Sequence, residues 1–232
     1  MTEDRSWLDA TAQLKSQLET TKAILLDFNG TLSDDEELLA SVVRDISADE
    51  LGVAVSRDRY FRDFAGFTEA RMFGEIAKES GNSGIDTDYL LRQFNSAYME
   101  RNHDAATISE DARTFVERAN RFGKRVAVVT AASREIVAPT IDKAGLGSFI
   151  DHIVALEDVI HSKPDPACYL LALERIGVDA SDALAFEDSS TGIRAARDAG
   201  LLTVGVRGSL NEDKLAQLTD FVIDELSPFL LS

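Results

Sequence analysis

Ala23-Ile24-Leu25-Leu26 run without interruption into Asp27, and Phe28-Asn29-Gly30-Thr31-Leu32 follow. Consecutive apolar residues closed by turn chemistry predict a short strand buried on both faces, as in a parallel sheet covered by helices. An acid at the carboxyl end of such a strand stands where open α/β sheets bind ligands. Asp-x-Asn-Gly is equally good turn chemistry, so the stretch alone leaves open whether Asp27 ends a strand or serves a site.

The second half of the chain repeats that strand type in alternation with helices. Ser109 is placed to cap a helix carrying Phe115, Val116, Ala119 and Phe122, stopped by Gly123. Val126-Ala127-Val128-Val129 is a buried strand ending at Thr130, and Ser133 caps a helix over 134–144 that Pro139 is expected to bend or start late. A short strand at 152–155, a helix at 165–176, strands at 183–186, 202–206 and 221–223, and a helix at 191–199 complete the pattern. Strands separated by helices of about ten residues predict parallel βαβ units and a doubly wound, Rossmann-like α/β sheet.

Between 34 and 108 no strong strand signal occurs. Ser33 is read as an N-cap, the acids Asp34 to Glu37 as first-turn helix chemistry, and Leu38, Leu39, Val42, Val43 and Ile46 as a helical stripe stopped near Gly52. Residues 57–64, 68–79 and 86–101 also read as helices. The expected organisation is an N-terminal helical extension over 1–19, an α/β core over 20–33 and 109–232, and a small all-helical cap over 34–108. Trp7, Leu8, Leu14 and Leu18 give the extension an apolar face expected to pack loosely on the body or on a partner.

A 232-residue chain with 44% hydrophobic residues can bury a substantial core unaided. Its net charge of −17 opposes binding to nucleic acid and to anionic membrane surfaces. No apolar run approaches a membrane span, residues 1–20 lack a signal-peptide core, and the single cysteine, Cys168, reads as a core residue in a reducing compartment. The expected location is the cytoplasm, as a monomer or weak homodimer.

Four predicted strand ends carry polar groups: Asp27, Thr130, the Ser162-Lys163-Pro164 loop, and Glu187-Asp188. In a parallel sheet they share one edge. A carboxylate such as Asp27 can attack phosphorus. Glu187 and Asp188 are hard oxygen ligands of the kind Mg²⁺ takes. Lys163 supplies a point positive charge. Thr130 and the chain turn at Ala131 offer a hydroxyl and backbone N–H groups to a phosphate.

Asp27-Phe28-Asn29-Gly30-Thr31-Leu32, Thr130, Ser162-Lys163-Pro164 and Glu187-Asp188-Ser189-Ser190-Thr191-Gly192 closely resemble the four ordered motifs of the haloacid dehalogenase-like (HAD) hydrolase superfamily. The last form resembles the branch holding sugar-phosphate phosphatases, phosphoglycolate phosphatase and β-phosphoglucomutase. The resemblance implies a Mg²⁺-dependent phosphatase acting on a small phosphorylated metabolite through phospho-Asp27. It further implies Asp27, Asp188 and the main-chain carbonyl of Asn29 on the metal, Glu187 beside or behind it, Thr130 and Lys163 on the phosphoryl group, and specificity residues in the cap, with Phe67 and Arg71 as candidates.

The chain departs from that pattern at Asn29, where phosphatases of the superfamily carry the aspartate that protonates the leaving group and then activates water. A carboxamide cannot exchange a proton near neutral pH, and general acid–base catalysis is worth about 10²–10⁴-fold. Either the enzyme acts on esters that leave without a proton, or another group supplies it, or Asn29 is an introduced change. The alternative is a phosphate-binding or regulatory protein with little turnover. A mutase fits less well, because no His precedes His103 and the cap loop reads Gly66-Phe67-Thr68-Glu69 where the family's mutases carry an arginine. A phosphonatase would need a cap lysine, for which Lys78 is the sole candidate between 34 and 108. A dehalogenase fits poorly with the fourth motif.

Overall fold

The computed structural model describes residues 3–81 and 84–231, with side chains from residue 10 onward. The centre is a six-stranded parallel sheet in the order β3-β2-β1-β4-β5-β6. Its strands are β1 (Ala23–Leu26), β2 (Arg125–Val129), β3 (His152–Val154), β4 (Ala183–Glu187), β5 (Leu202–Val206) and β6 (Phe221–Ile223). All four residues of β1 are buried, as an apolar run between two neighbours requires. Leu26 pairs with Val128 on one side and Phe186 on the other, and the Asp27 N–H continues the ladder to the Phe186 carbonyl at 3.0 Å. The strand order reverses between β1 and β4, which places a crevice beyond their carboxyl ends.

Side chains of β1 alternate between two cores. Ala23 and Leu25 face α8 (Ala167–Ile176) and α9 (Ser190–Asp198), where Cys168 and Tyr169 are buried. Cys168 is a core residue, as its helical setting predicts. Ile24 and Leu26 face the larger core, which includes α6 (Glu110–Arg121) and runs on into the helical segment after β1.

That segment comprises α2 (Glu36–Leu51), a single turn α3 (Arg57–Arg59) leading into a π-helical turn over Tyr60–Phe64, α4 (Glu69–Glu79) and α5 (Thr87–Asn102). The two strands of chain joining it to the sheet lie side by side, with the Asp34 N–H donating to the Thr107 carbonyl at 2.7 Å. The predicted continuous helix over 57–64 is replaced by the wider turn, in which the Ala65 N–H reaches five residues back to the Tyr60 carbonyl.

Two local expectations are corrected. Ser33 does not cap α2: its hydroxyl is buried without a partner, and the cap position falls on Asp35, whose side chain makes no capping bond and whose Oδ1 is likewise buried without a partner. The N-terminal helix α1 (Glu3–Thr20) is not loosely packed over its described half, since Leu14 and Leu18 are each only 1% exposed. Lys124 donates to the Leu18 and Thr21 carbonyls at 2.5 and 2.7 Å, tying the end of α1 to β2. Trp7, the proposed contact residue, has a side chain outside the described residues. Helix α7 (Arg134–Lys143) starts where the Ser133 cap predicts and runs through Pro139.

Candidate active site

Asp27, Thr130, Lys163 and Asp188 come from four separate strand ends or loops and meet in one crevice, together with Asn29 and Ala131. Lys163 is the hub. Its ammonium donates to Asp27 Oδ1 at 2.6 Å, to Glu187 Oε1 at 2.6 Å and to the Val129 carbonyl at 2.8 Å. The lysine side chain is 4% exposed and that of Glu187 is 0% exposed, so solvent screens these ion pairs little.

Glu187 faces away from the cavity. The Tyr169 hydroxyl donates to its Oε1 at 2.6 Å and Ser189 to its Oε2 at 3.2 Å. A Cβ on Gly192 would lie 2.0 Å from the same carboxylate, so only glycine lets α9 start this close. Asp188 points the other way and receives the Ser209 N–H at 3.1 Å and its hydroxyl at 2.5 Å. Gly30 has φ +73°, and a Cβ there would lie 2.3 Å from Asp188 Oδ2. The Gly30 turn thus has two reasons to be glycine, its backbone angle and the adjacent acid.

Asp27, Glu187 and Asp188 each offer an oxygen within 4.8 Å of the others. Burial, then repulsion from Glu187, raises the Asp27 carboxyl well above its ordinary range against the pull of Lys163. The same two causes raise Asp188 to about 6. Opposing its own burial, Asp27 and Glu187 raise Lys163, so it stays charged. Three buried acids around one ammonium form a donor set that lacks positive charge, and hard carboxylate oxygens fit a divalent cation such as Mg²⁺. Thr130 Oγ1 accepts the Ala132 N–H at 3.0 Å, which orients the hydroxyl so that its own proton is free to donate into the crevice.

Asn29 lines the cavity, and its carboxamide donates to Asp35 Oδ2 at 2.8 Å. The Tyr98 hydroxyl donates to the same oxygen at 2.6 Å. Burial lifts Asp35 to about 6 against these bonds.

The opposite wall comes from the helical segment. The π-helical turn brings Tyr60 and Phe64 into the cavity, joined by Phe67, Phe94, Glu36 and Glu69. The Thr191 hydroxyl donates to the Gly66 carbonyl at 3.3 Å and closes the 65–68 loop onto the start of α9. The cavity between the two walls is about 50 Å³, space for a few waters. Phe67 lies in this wall. Arg71 does not; it is exposed and stacks over the outer face of the Phe67 ring, 3.6 Å from its centroid. Lys78 lies on the same outer surface as Arg71, paired with Glu75 at 3.2 Å.

Sequence reasoning placed Glu69 in the cap loop but did not find Ser209, Tyr169, Asp35 or Tyr60. Ser209 alone had an available signal, a Gly-Ser pair just past the carboxyl end of β5. The rest reach the site through contacts between distant segments.

The family profile of the haloacid dehalogenase-like hydrolases matches residues 24–206. Over 211 residues the chain is 30% identical to the pyrophosphatase PpaX of Bacillus velezensis, covering 90% of this chain and 94% of that one. It is 28% identical over 211 residues to the phosphoglycolate phosphatase of Pseudomonas savastanoi pv. phaseolicola, covering 88% and 77%. Among solved structures, CbbY from Rhodobacter sphaeroides in complex with phosphate superposes with a TM-score of 0.80 at 25% identity, over 89% of this chain and 95% of that one. No helix among the described residues is long and apolar enough to cross a membrane. The family profile, the relatives and the shared architecture agree, and the chain belongs to the haloacid dehalogenase-like hydrolase family.

Proposed function

We propose that this protein is a Mg²⁺-dependent phosphatase of small phosphate monoesters that works through a phosphoaspartyl intermediate on Asp27. The observation that carries the reading is the Lys163 ammonium 2.6 Å from Asp27 Oδ1. It holds one carboxylate oxygen, and no described hydrogen bond engages the other. Relatives that are themselves a pyrophosphatase and phosphoglycolate phosphatases support it.

Asp27, Asp188 and the Asn29 carbonyl would hold the metal, with Glu187 behind them fixing Lys163. Bound there, Mg²⁺ supplies the positive charge that lets an anionic carboxylate approach an anionic phosphate. Thr130 and the backbone at Ala131 orient the phosphoryl oxygens. A free Asp27 oxygen attacks phosphorus, the bond from phosphorus to the ester oxygen breaks, and the electron pair leaves with that oxygen. Water then attacks the phosphoaspartate and releases inorganic phosphate, regenerating Asp27.

Asn29 neither gives nor takes the proton in these steps. Turnover is therefore slow for ordinary alkyl esters and faster for acyl or aryl phosphates, whose leaving groups depart without a proton. Residues 34–108 act as a cap over the core of 20–33 and 109–232. A cavity this small admits substrate only when the 65–68 loop lifts from Thr191.

Asn29 also favours a second reading, a phosphate-binding protein with little turnover. Hydrolysis of an aryl phosphate and a sugar phosphate by this protein and by Asn29→Asp, with and without Mg²⁺, separates the two. Mg²⁺-dependent aryl phosphate hydrolysis by the unaltered protein supports the phosphatase. No hydrolysis by either protein under any condition contradicts it, and activity confined to the variant assigns the chain to the binding reading.

A further inference from the structure

The core wall of the cavity presents Lys163 and Thr130 beside Asp27 and Asp188, the carboxylates that would hold Mg²⁺. The cap wall presents Tyr60, Phe64, Phe67 and Phe94 with Glu36 and Glu69, and no Lys, Arg or His of the helical segment lines it. Arg71, the nearest cation in sequence, is engaged with the outer face of Phe67. Among the described residues neither Glu36 nor Glu69 forms an ion pair with Lys or Arg. Glu36 Oε2 is buried without a hydrogen-bond partner. Burial, reinforced for Glu36 by the nearby Asp188, holds these carboxyls at about 8 and about 7.

A carboxylate oxygen buried without a partner, as Glu36 Oε2 is, is costly unless a ligand brings a counter-ion. Aromatic faces beside these carboxyls attract cations in their own right. A second phosphate or a carboxylate on the substrate would instead meet two acids and no base.

Resting on the phosphatase reading, we propose that the substrate is a phosphate monoester of a short alcohol bearing an ammonium group. Its phosphate lies against Thr130 and Lys163, and its ammonium lies between Glu36, Glu69 and the four rings. The alcohol is short because Thr130 and Lys163 line the same cavity as Glu36 and Glu69. Hydrolysis breaks the bond between phosphorus and the ester oxygen, consumes one water, and yields the amino alcohol and inorganic phosphate. The ammonium withdraws electrons from the departing oxygen and lowers its basicity. That eases the step for which Asn29 supplies no proton; solvent water protonates the alkoxide.

The test is calorimetric titration of the full chain in Mg²⁺ with O-phosphoethanolamine, ethyl phosphate and phosphoglycolate, which place a cation, nothing and an anion at the same point. Phosphoethanolamine is expected to bind at least about 10-fold more tightly than ethyl phosphate, with phosphoglycolate weakest. Glu36→Gln and Glu69→Gln, singly and together, are expected to bring phosphoethanolamine down toward ethyl phosphate, with thermal melts reporting that each variant is folded. Phosphoglycolate binding as tightly as phosphoethanolamine overturns the proposal. So does a preference that survives in every folded variant, tighter binding of glycerol phosphate than of phosphoethanolamine, or no binding of any ester. The reading of the site as a phosphatase is judged separately, by aryl phosphate hydrolysis. If that is absent while the binding order holds, the reaction is wrong and the recognition stands.

Discussion

The Asn29 carboxamide donates to Asp35 Oδ2 at 2.8 Å, so a carboxylate stands one hydrogen bond behind the expected acid–base position. Asp35 is 1% exposed and does not line the cavity, so it cannot reach a substrate itself. Exchanging the pair, Asn29→Asp with Asp35→Asn, keeps one donor and one acceptor across the same contact and returns a carboxyl to the crevice. Hydrolysis of alkyl phosphates is expected to rise about 10²–10⁴-fold, with a smaller rise for aryl phosphates. Asn29→Asp alone is expected to gain less, because two buried acids in contact share a proton. Equal rates for the exchanged and unaltered proteins on an alkyl phosphate would show that proton transfer is not what limits turnover.

Lys163 balances two carboxylates in a buried setting. Lys163→Met leaves Asp27 and Glu187 facing each other without a cation. Loss of a buried ion-pair partner costs about 3–5 kcal/mol, readable as a drop in the urea midpoint, and phosphatase activity is expected to vanish. Adding Mg²⁺ should stabilise the unaltered protein in thermal melts, by about 2.7 kcal/mol at a hundredfold excess over Kd. A melting temperature indifferent to Mg²⁺ would count against the carboxylate cluster as a metal site.

Gly30→Ala should be damaging far beyond its size. The new Cβ would fall 2.3 Å from Asp188 Oδ2, and φ is +73°. The backbone strain alone costs about 1 kcal/mol, and Asp188 must move as well. Loss of Mg²⁺ affinity with a folded melting curve is the expected result. Gly52→Ala, with φ +65° but open space around it, provides the control that carries only the backbone cost.

Much of this arrangement is legible in the sequence. The apolar runs of β1, β2, β4 and β5 are buried on both faces, so periodicity and composition agree. The polar residues closing β1, β2 and β4 meet because a parallel sheet brings its carboxyl ends to one edge. Other features depend on contacts that no local pattern encodes. Tyr98 reaches Asp35 across 63 positions, and Asp35 makes no capping bond to α2. The shift to π-helical bonding that turns Tyr60 and Phe64 inward leaves the apolar spacing of residues 57–64 almost unchanged. Arg71 follows Phe67 closely enough to suggest the same wall, but it covers the other face of the ring.

Glu69 gives the stability a pH dependence. Burial raises its carboxyl from 4.5 to about 7. The native state keeps a proton that the unfolded chain releases, so this contribution to stability falls as pH rises from 4.5 to 7 and is flat above. Glu69→Gln removes the effect. Because the side chain is partly exposed, the variant should gain about 1–2 kcal/mol over the unaltered protein at pH 8 and little at pH 4.5, by urea denaturation without Mg²⁺. An equal difference at both pH values would contradict the assignment.

Acid quenching during turnover captures the bond between Asp27 and phosphorus itself. With Asn29 unable to activate water, phosphoenzyme should accumulate when the protein is mixed with an aryl phosphate and Mg²⁺. Peptide mass spectrometry is expected to find one phosphoryl group on the peptide containing Asp27, absent in Asp27→Asn and absent without Mg²⁺. Steady hydrolysis with no label at Asp27, or hydrolysis that persists in Asp27→Asn, would contradict that bond.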